Sequence, residues 1–196
     1  LGFRRGHGAL VNLLSDQGLQ DDPLFAQARH RGIKALSGHA ESIDVTNDVN
    51  GGPSGVGVAT AAGKAAFWDM AGAEGTPKII ALEGEFAMTE GHAQELKTQG
   101  LALAVGKRLR VILSDNNAGI DDVLLGGVIP ASLAGGYRLA DQWRSYGWNG
   151  LEVADGNDFG QVVDVLARME DSDPADRRPM IVIAKTTKGW WPAAVN

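Results

Sequence analysis

The sequence predicts an α/β protein, a doubly wound parallel sheet flanked by helices, and three observations predict it. Short apolar runs of strand length recur at Lys78–Leu82, Leu109–Leu113, Leu151–Ala154 and Met180–Ala184. Helical patterns lie among them, at Val56–Met70, Gly91–Val105 and Asp158–Met169. Glycines, 27 in all, gather at the junctions, as at Gly51-Gly52, Gly84, Gly126-Gly127 and Gly135-Gly136, where they punctuate the elements. Strands alternating with helices of this length form βαβ units, and their parallel sheet carries helices on both faces.

Taken in chain order, the first helix is Ala-rich and follows a glycine-rich loop, Asn50-Gly51-Gly52-Pro53-Ser54-Gly55-Val56-Gly57. The four strand runs are continuously apolar rather than alternating, which predicts burial on both faces. In the last helix Val162, Val163, Val165, Leu166 and Met169 recur at helical spacing, and Asp158 stands where an N-cap belongs. The charged stretch Asp171–Pro179, with two prolines, reads as an exposed loop before the last strand. No internal repeat or interdomain linker is visible, so residues 1–196 read as one domain.

Composition narrows the function. A net charge of −6 argues against a protein that tracks nucleic-acid phosphates, which needs a basic face. Without cysteine there are neither disulfides nor thiolate metal sites, and a reducing cytoplasmic setting is the default expectation. No apolar run approaches the ~18 residues of a membrane span. The chain begins on Leu1, inside what proves to be a motif, so the expectation is a fragment or one half of a larger catalytic unit.

In an open parallel sheet, ligands bind at the carboxyl ends of the strands. Glu83-Gly84-Glu85-Phe86 follows the first run, and Asp115-Asn116-Asn117-Ala118-Gly119-Ile120-Asp121 the second. On neighbouring strands these would offer a carboxylate, an amide oxygen and a free carbonyl, hard ligands for Mg²⁺ or Ca²⁺, with a diphosphate as the anionic partner. Asp-Asn-Asn-Ala-Gly also favours a tight turn for purely local reasons. The glycine-rich loop is a candidate phosphate cradle at a helix N-terminus, with close helix packing as its plain alternative. His7 and His39 sit in glycine-flanked loops where an imidazole can approach a ligand and exchange a proton near neutral pH, or simply make a turn hydrogen bond. His30 and His92 have no comparable setting and receive no role. Glu90 and Glu95 are equally the acids a helix dipole favours in a first turn.

The order of these pieces resembles the N-terminal, diphosphate-binding domain of transketolases and their relatives. The motifs are Gly6-His7-Gly8, Gly38-His39-Ala40-Glu41, Gly52-Pro53-Ser54-Gly55-Val56-Gly57, Gly84-Glu85-Phe86 with Glu90-Gly91 and Glu95, and Asp115-Asn116 with Ile120-Asp121-Asp122. Tyr146-Gly147-Trp148-Asn149, Asp155-Gly156-Asn157-Asp158 and Lys185-Thr186-Thr187-Lys188-Gly189 continue the likeness to the end of the chain. The resemblance implies the thiamine diphosphate-binding fold and thiamine diphosphate- and Mg²⁺-dependent transfer of a two-carbon ketol unit between sugar phosphates or related carbonyl compounds. It implies Glu85, Asn116 and the Ala118 carbonyl as metal ligands. Gly52, Ser54, Phe86, Glu90, Asn116, Ala118 and Ile120 would contact the cofactor, and His7 and His39 would face the diphosphate and the substrate hydroxyls. Glu90 and Glu95 would belong to a proton relay at a subunit interface. In this family the glutamate that activates the aminopyrimidine comes from a separate pyrimidine-binding domain, so a homodimer or a heteromer with a second polypeptide is implied.

The chain departs from the family pattern in three places. Glu85-Phe86 replaces Asp-Gly, Ala40 replaces a proline, and Ser54 and Val56 replace Leu and Gln. Phe86 motivates an alternative, a non-catalytic structural or regulatory subunit that keeps the fold. A second alternative is a NAD(P)-dependent oxidoreductase, with Gly52, Gly55 and Gly57 before a helix and Glu83 as a ribose-binding acid. Its glycine spacing is not Gly-x-Gly-x-x-Gly, and Ile43–Val49 makes a poor buried strand.

Overall fold

Each of the four apolar runs forms a strand: β1 (Ile79–Gly84), β2 (Leu109–Asp115), β3 (Asn149–Val153) and β4 (Met180–Lys185). They pair in parallel in the order β1-β2-β4-β3, so β4 inserts between β2 and β3. The computed structural model describes residues 53–72, 78–98, 108–117, 138–171 and 175–187, all within the unit Pro53–Asn196.

The sheet order explains the apolar runs. In the central strands, Leu109, Val111, Leu113, Ile181 and Ile183 face one core, while Ile112, Met180, Val182 and Ala184 face the other. Both faces are covered, so no polar alternation survives. The two outer strands among the described residues differ from the expectation of burial on both faces: Ala81 of β1 is buried but its neighbour Leu82 is 72% exposed, and Leu151 and Glu152 of β3 are only half-buried. Among the described residues β1 and β3 each have one strand neighbour, whereas β2 and β4 have two.

Helix α1 (Val56–Met70) has the predicted bounds. Its buried residues Val58, Ala61, Ala62 and Ala65 repeat at helical spacing, and their small side chains let the helix lie close to the sheet. A 3-10 helix, Glu85–Thr89, then leads into α2 (Gly91–Thr98); the predicted extension to Val105 lies outside the described residues. Helix α3 (Leu139–Ser145) was not expected, because seven residues are too few to show a period. Tertiary packing holds it: Trp143 meets Trp148 edge-on at 4.6 Å between ring centroids, and Arg144 donates to the Gly150 carbonyl at 2.7 and 3.1 Å. Helix α4 (Phe159–Glu170) is capped as predicted, with the Asp158 carboxylate accepting from the Gln161 N–H at 2.9 Å. α1, α2 and α3 pack on one face, and α4 buries Val165 and Met169 on the other. Among the described residues no helix is long and apolar enough to cross a membrane.

Candidate functional site at the carboxyl edge of the sheet

β1 and β2 run in register with Gly84 opposite Ser114, so the Gly84–Phe86 and Asp115–Asn116 turns meet at one edge, as the sequence predicts. Glu85 opens the 3-10 helix and is 2% exposed. Phe86 is 42% exposed, its ring turned outward, and its carbonyl accepts from Thr89 Oγ1 at 2.7 Å. On the next strand the Asp115 carboxylate pairs with Lys185, its register partner on β4, and Ser114 Oγ meets Thr186 Oγ1 at 2.7 Å. Asn116 is half-buried, and Asn117 turns the chain at φ 59°, a left-handed conformation asparagine tolerates.

These residues fit a diphosphate with its cation in two respects. A methyl group built at Gly84 would meet nothing within 4 Å, so the strand end is open to a ligand. The donors here, the Glu85 carboxylate and the Asn116 amide, are hard oxygens on adjoining strand ends. Among the described residues no three His, Cys, Asp or Glu side chains converge as a metal cluster. The expected set needs none, since it uses one carboxylate, one amide and one main-chain carbonyl. His7, His39, Gly52, Ala118 and Ile120 lie outside the described residues.

The glycine-rich loop is used differently from a bare phosphate cradle. Glu83 Oε1 accepts from the Val58 N–H at 3.2 Å, and a methyl group at Gly57 would lie 2.5 Å from the same oxygen. The positive end of α1 thus faces an anion supplied by β1. Burial pushes the Glu83 carboxyl up, opposed by the neighbouring main-chain amides and by His92. A ribose-binding role for Glu83 therefore has no support in the fold, because the carboxylate is spent on the helix. Gly55 has φ 79°, and a methyl group there would lie 3.0 Å from His92 Cδ2 and 3.1 Å from the Ala87 carbonyl oxygen and from Glu90 Cβ. On the other side of the loop, His92 Nε2 lies 3.2 Å from the Ser54 carbonyl oxygen. Neither contact has a local signal, since Glu83 and Val58 are 25 residues apart and Ser54 and His92 are 38 apart.

Glu90 and Glu95 are separated by a helical turn. Glu90 joins the 3-10 helix to α2, its N–H donating to the Ala87 carbonyl and its carbonyl accepting from the Gln94 N–H, both at 3.2 Å. Glu95 lies exposed within α2. The first turn of α2 carries no acid, so the dipole does not account for Glu95, whereas Glu90 stands at the N-terminal boundary where an acid is favoured. Beyond β3, Asp155-Gly156-Asn157-Asp158 folds onto the end of β4: Asn157 Oδ1 accepts from the Thr187 N–H at 2.9 Å. A methyl group at Gly156 would fall 2.7 Å from Thr186 Cγ2 and 2.9 Å from the Lys185 carbonyl oxygen.

A cavity of about 510 Å³ opens elsewhere, among Arg144, Asn149, Arg168, Asp176, Arg178 and Met180. It lies at the amino ends of β3 and β4, the wrong end of a parallel sheet for the ligand. Arg178 there is held by Asp176 at 2.8 Å and Arg144 by the Gly150 carbonyl. The carboxyl edge, not this cavity, is the candidate site.

Comparison with known proteins identifies the family. The family model described as the transketolase thiamine diphosphate binding domain matches residues 6–195. The transketolase of Streptococcus pyogenes is 30% identical over 160 residues, covering 78% of this chain and 20% of that protein. The transketolase of Geobacillus stearothermophilus is 29% identical over 202 residues, 94% of this chain and 28% of that protein. Among solved structures, a Pichia stipitis transketolase mutant in complex with xylulose 5-phosphate matches with a TM-score of 0.60 at 23% identity, over 83% of this chain and 24% of that one. The chain spans between a fifth and somewhat over a quarter of the length of these relatives.

Proposed function

The chain belongs to the family of transketolase thiamine diphosphate-binding domains, and from that premise we propose that it is the diphosphate-holding part of a larger unit that transfers ketol groups between sugar phosphates. The observation that carries this reading is the register of Gly84 with Ser114, which brings the buried Glu85 and the half-buried Asn116 to adjoining strand ends, with open space at Gly84. In this reading Glu85, Asn116 and the Ala118 carbonyl hold Mg²⁺. Main-chain groups at Gly52, Ser54 and Phe86 lie against the cofactor, Ile120 packs near its thiazolium, and His7 and His39 exchange protons with diphosphate and substrate. Glu90 and Glu95 form the relay toward a neighbouring subunit. Thiamine diphosphate supplies the electron sink for carbon–carbon cleavage; the chain binds, orients and excludes water. A pyrimidine-binding domain, in the same polypeptide or a partner, completes the site.

The exposed Phe86 ring favours one competing reading, a subunit that keeps the fold without the cofactor. Calorimetric titration of the complete native assembly with thiamine diphosphate and Mg²⁺ decides between them. Saturable binding that N116A weakens at least about tenfold, the loss expected for one half-buried contact to a charged group, supports the enzyme. No binding by the complete assembly supports the non-catalytic subunit.

A further inference from the structure

We propose that Glu83 is a positioning residue that clamps the glycine-rich loop to the end of β1, and so sets where Ser54 stands relative to Gly84–Phe86. Glu83 is the last residue but one of β1 and turns its carboxylate onto the first turn of α1, where Val58 donates to it at 3.2 Å. Gly57 makes room for it: a methyl group there would lie 2.5 Å from Glu83 Oε1. His92 holds the opposite side of the loop through the Ser54 carbonyl, and Gly55 is pressed between His92, Ala87 and Glu90 with no space for a side chain. The start of α1 is therefore held from β1 through the Val58 amide, and the loop before it from α2 through the Ser54 carbonyl. Both grips spring from the segment that also carries Glu85 and Glu90.

Two consequences follow. The α1 N-terminus is neutralised from within, so a diphosphate at the carboxyl edge is held by the turns after β1 and β2 and not by this helix dipole. A partly buried acceptor that satisfies the Val58 amide is costly to lose, because that donor then stands unsatisfied. Glu83 acts through the loop, and for its cofactor-facing consequence the inference rests on the reading above. The clamp itself does not.

The test uses E83A, E83Q, G57A and the E83A/G57A double variant of the native protein, with two readouts. Amide hydrogen exchange at Gly55, Gly57 and Val58 without cofactor reads the clamp. Calorimetric Kd for thiamine diphosphate with Mg²⁺ reads the positioning. E83A should speed exchange, most at Val58, and raise Kd by about tenfold, the loss expected when a partly buried acceptor is removed. E83Q, which keeps an acceptor oxygen, should restore both toward wild type. Alanine is favoured over glycine in a helix, so loosening by G57A reports its collision with Glu83. That effect should shrink on the E83A background, where the collision is gone. If E83A does not fold, G57A and E83Q probe the same contact from its two sides. Wild-type exchange at all three amides in E83A or in G57A overturns the clamp. Lost protection with unchanged Kd overturns the positioning role. A wild-type assembly that binds no thiamine diphosphate sinks the functional reading and the positioning role with it, while the exchange data still decide the clamp.

Discussion

Lys185 and Asp115 stand opposite each other at the carboxyl ends of β4 and β2 and form an ion pair beside Asn116. Lys185 is 57% exposed and Asp115 11%, so solvent screens the pair and its net worth is under about 1 kcal/mol. Its greater effect is on charge at the edge, where it neutralises a carboxylate adjoining the candidate metal ligands. K185M should lower the urea midpoint only slightly and should tighten Mg²⁺ binding in the absence of diphosphate, as measured by calorimetry. Unchanged or weaker Mg²⁺ binding would count against a cation site at this edge.

Phe86 offers a second prediction. Its ring is exposed and contributes little to the core, whereas glycine within the 3-10 helix carries an entropic cost of about 0.5–1 kcal/mol. F86G should therefore reduce stability by about that amount and tighten thiamine diphosphate binding modestly, by freeing the approach to the main chain. Binding created from none by F86G would instead identify the wild-type chain as the non-catalytic form.

The loop after β3 gives a prediction of stability alone. Gly156 packs so closely on Thr186 and the Lys185 carbonyl that a side chain has no room, and backbone cannot retreat as a flexible side chain can. G156A should cost about 1–3 kcal/mol in chemical denaturation, the range for overpacking a fitted contact. A wild-type midpoint would show that the loop does not sit against β4.

Lys97 supplies the pH dependence. Its side chain is buried, with the ammonium 5.5 Å from the Trp143 ring centroid and 5.8 Å from that of Tyr146, and burial lowers its pKa. Between that lowered value and the ordinary lysine value of about 10.4, the unfolded chain binds more protons than the folded one. Stability attributable to this group therefore rises with pH across that window. Urea denaturation from pH 7 to pH 10 should show a rise in wild type that K97M flattens. Identical pH profiles for the two proteins would place the ammonium in water.

Much of this could be read along the chain. The runs that became β2 and β4 are apolar at every position because both faces are covered, and that pattern is local. The bounds of α1 and the Asp158 cap were legible for the same reason, since spacing and capping act within a few residues. α3 was not, because seven residues carry too little periodicity and Trp143 gains its meaning only against Trp148.

What the sequence alone determined is a parallel α/β sheet of the transketolase cofactor-domain family, with an acidic and an amide turn following two of its strands. Tertiary structure decided that β4 lies between β2 and β3, that Lys185 therefore reaches Asp115, and that Glu83 serves the first turn of α1 rather than a ligand. It also separated the glycines, leaving Gly84 open to a ligand while Gly57 and Gly156 are closed by neighbours. The physical reason is range: propensity, periodicity and capping are settled among residues a few positions apart, whereas a carboxylate finds its donors across dozens of residues, and only the folded sheet brings them within hydrogen-bonding distance.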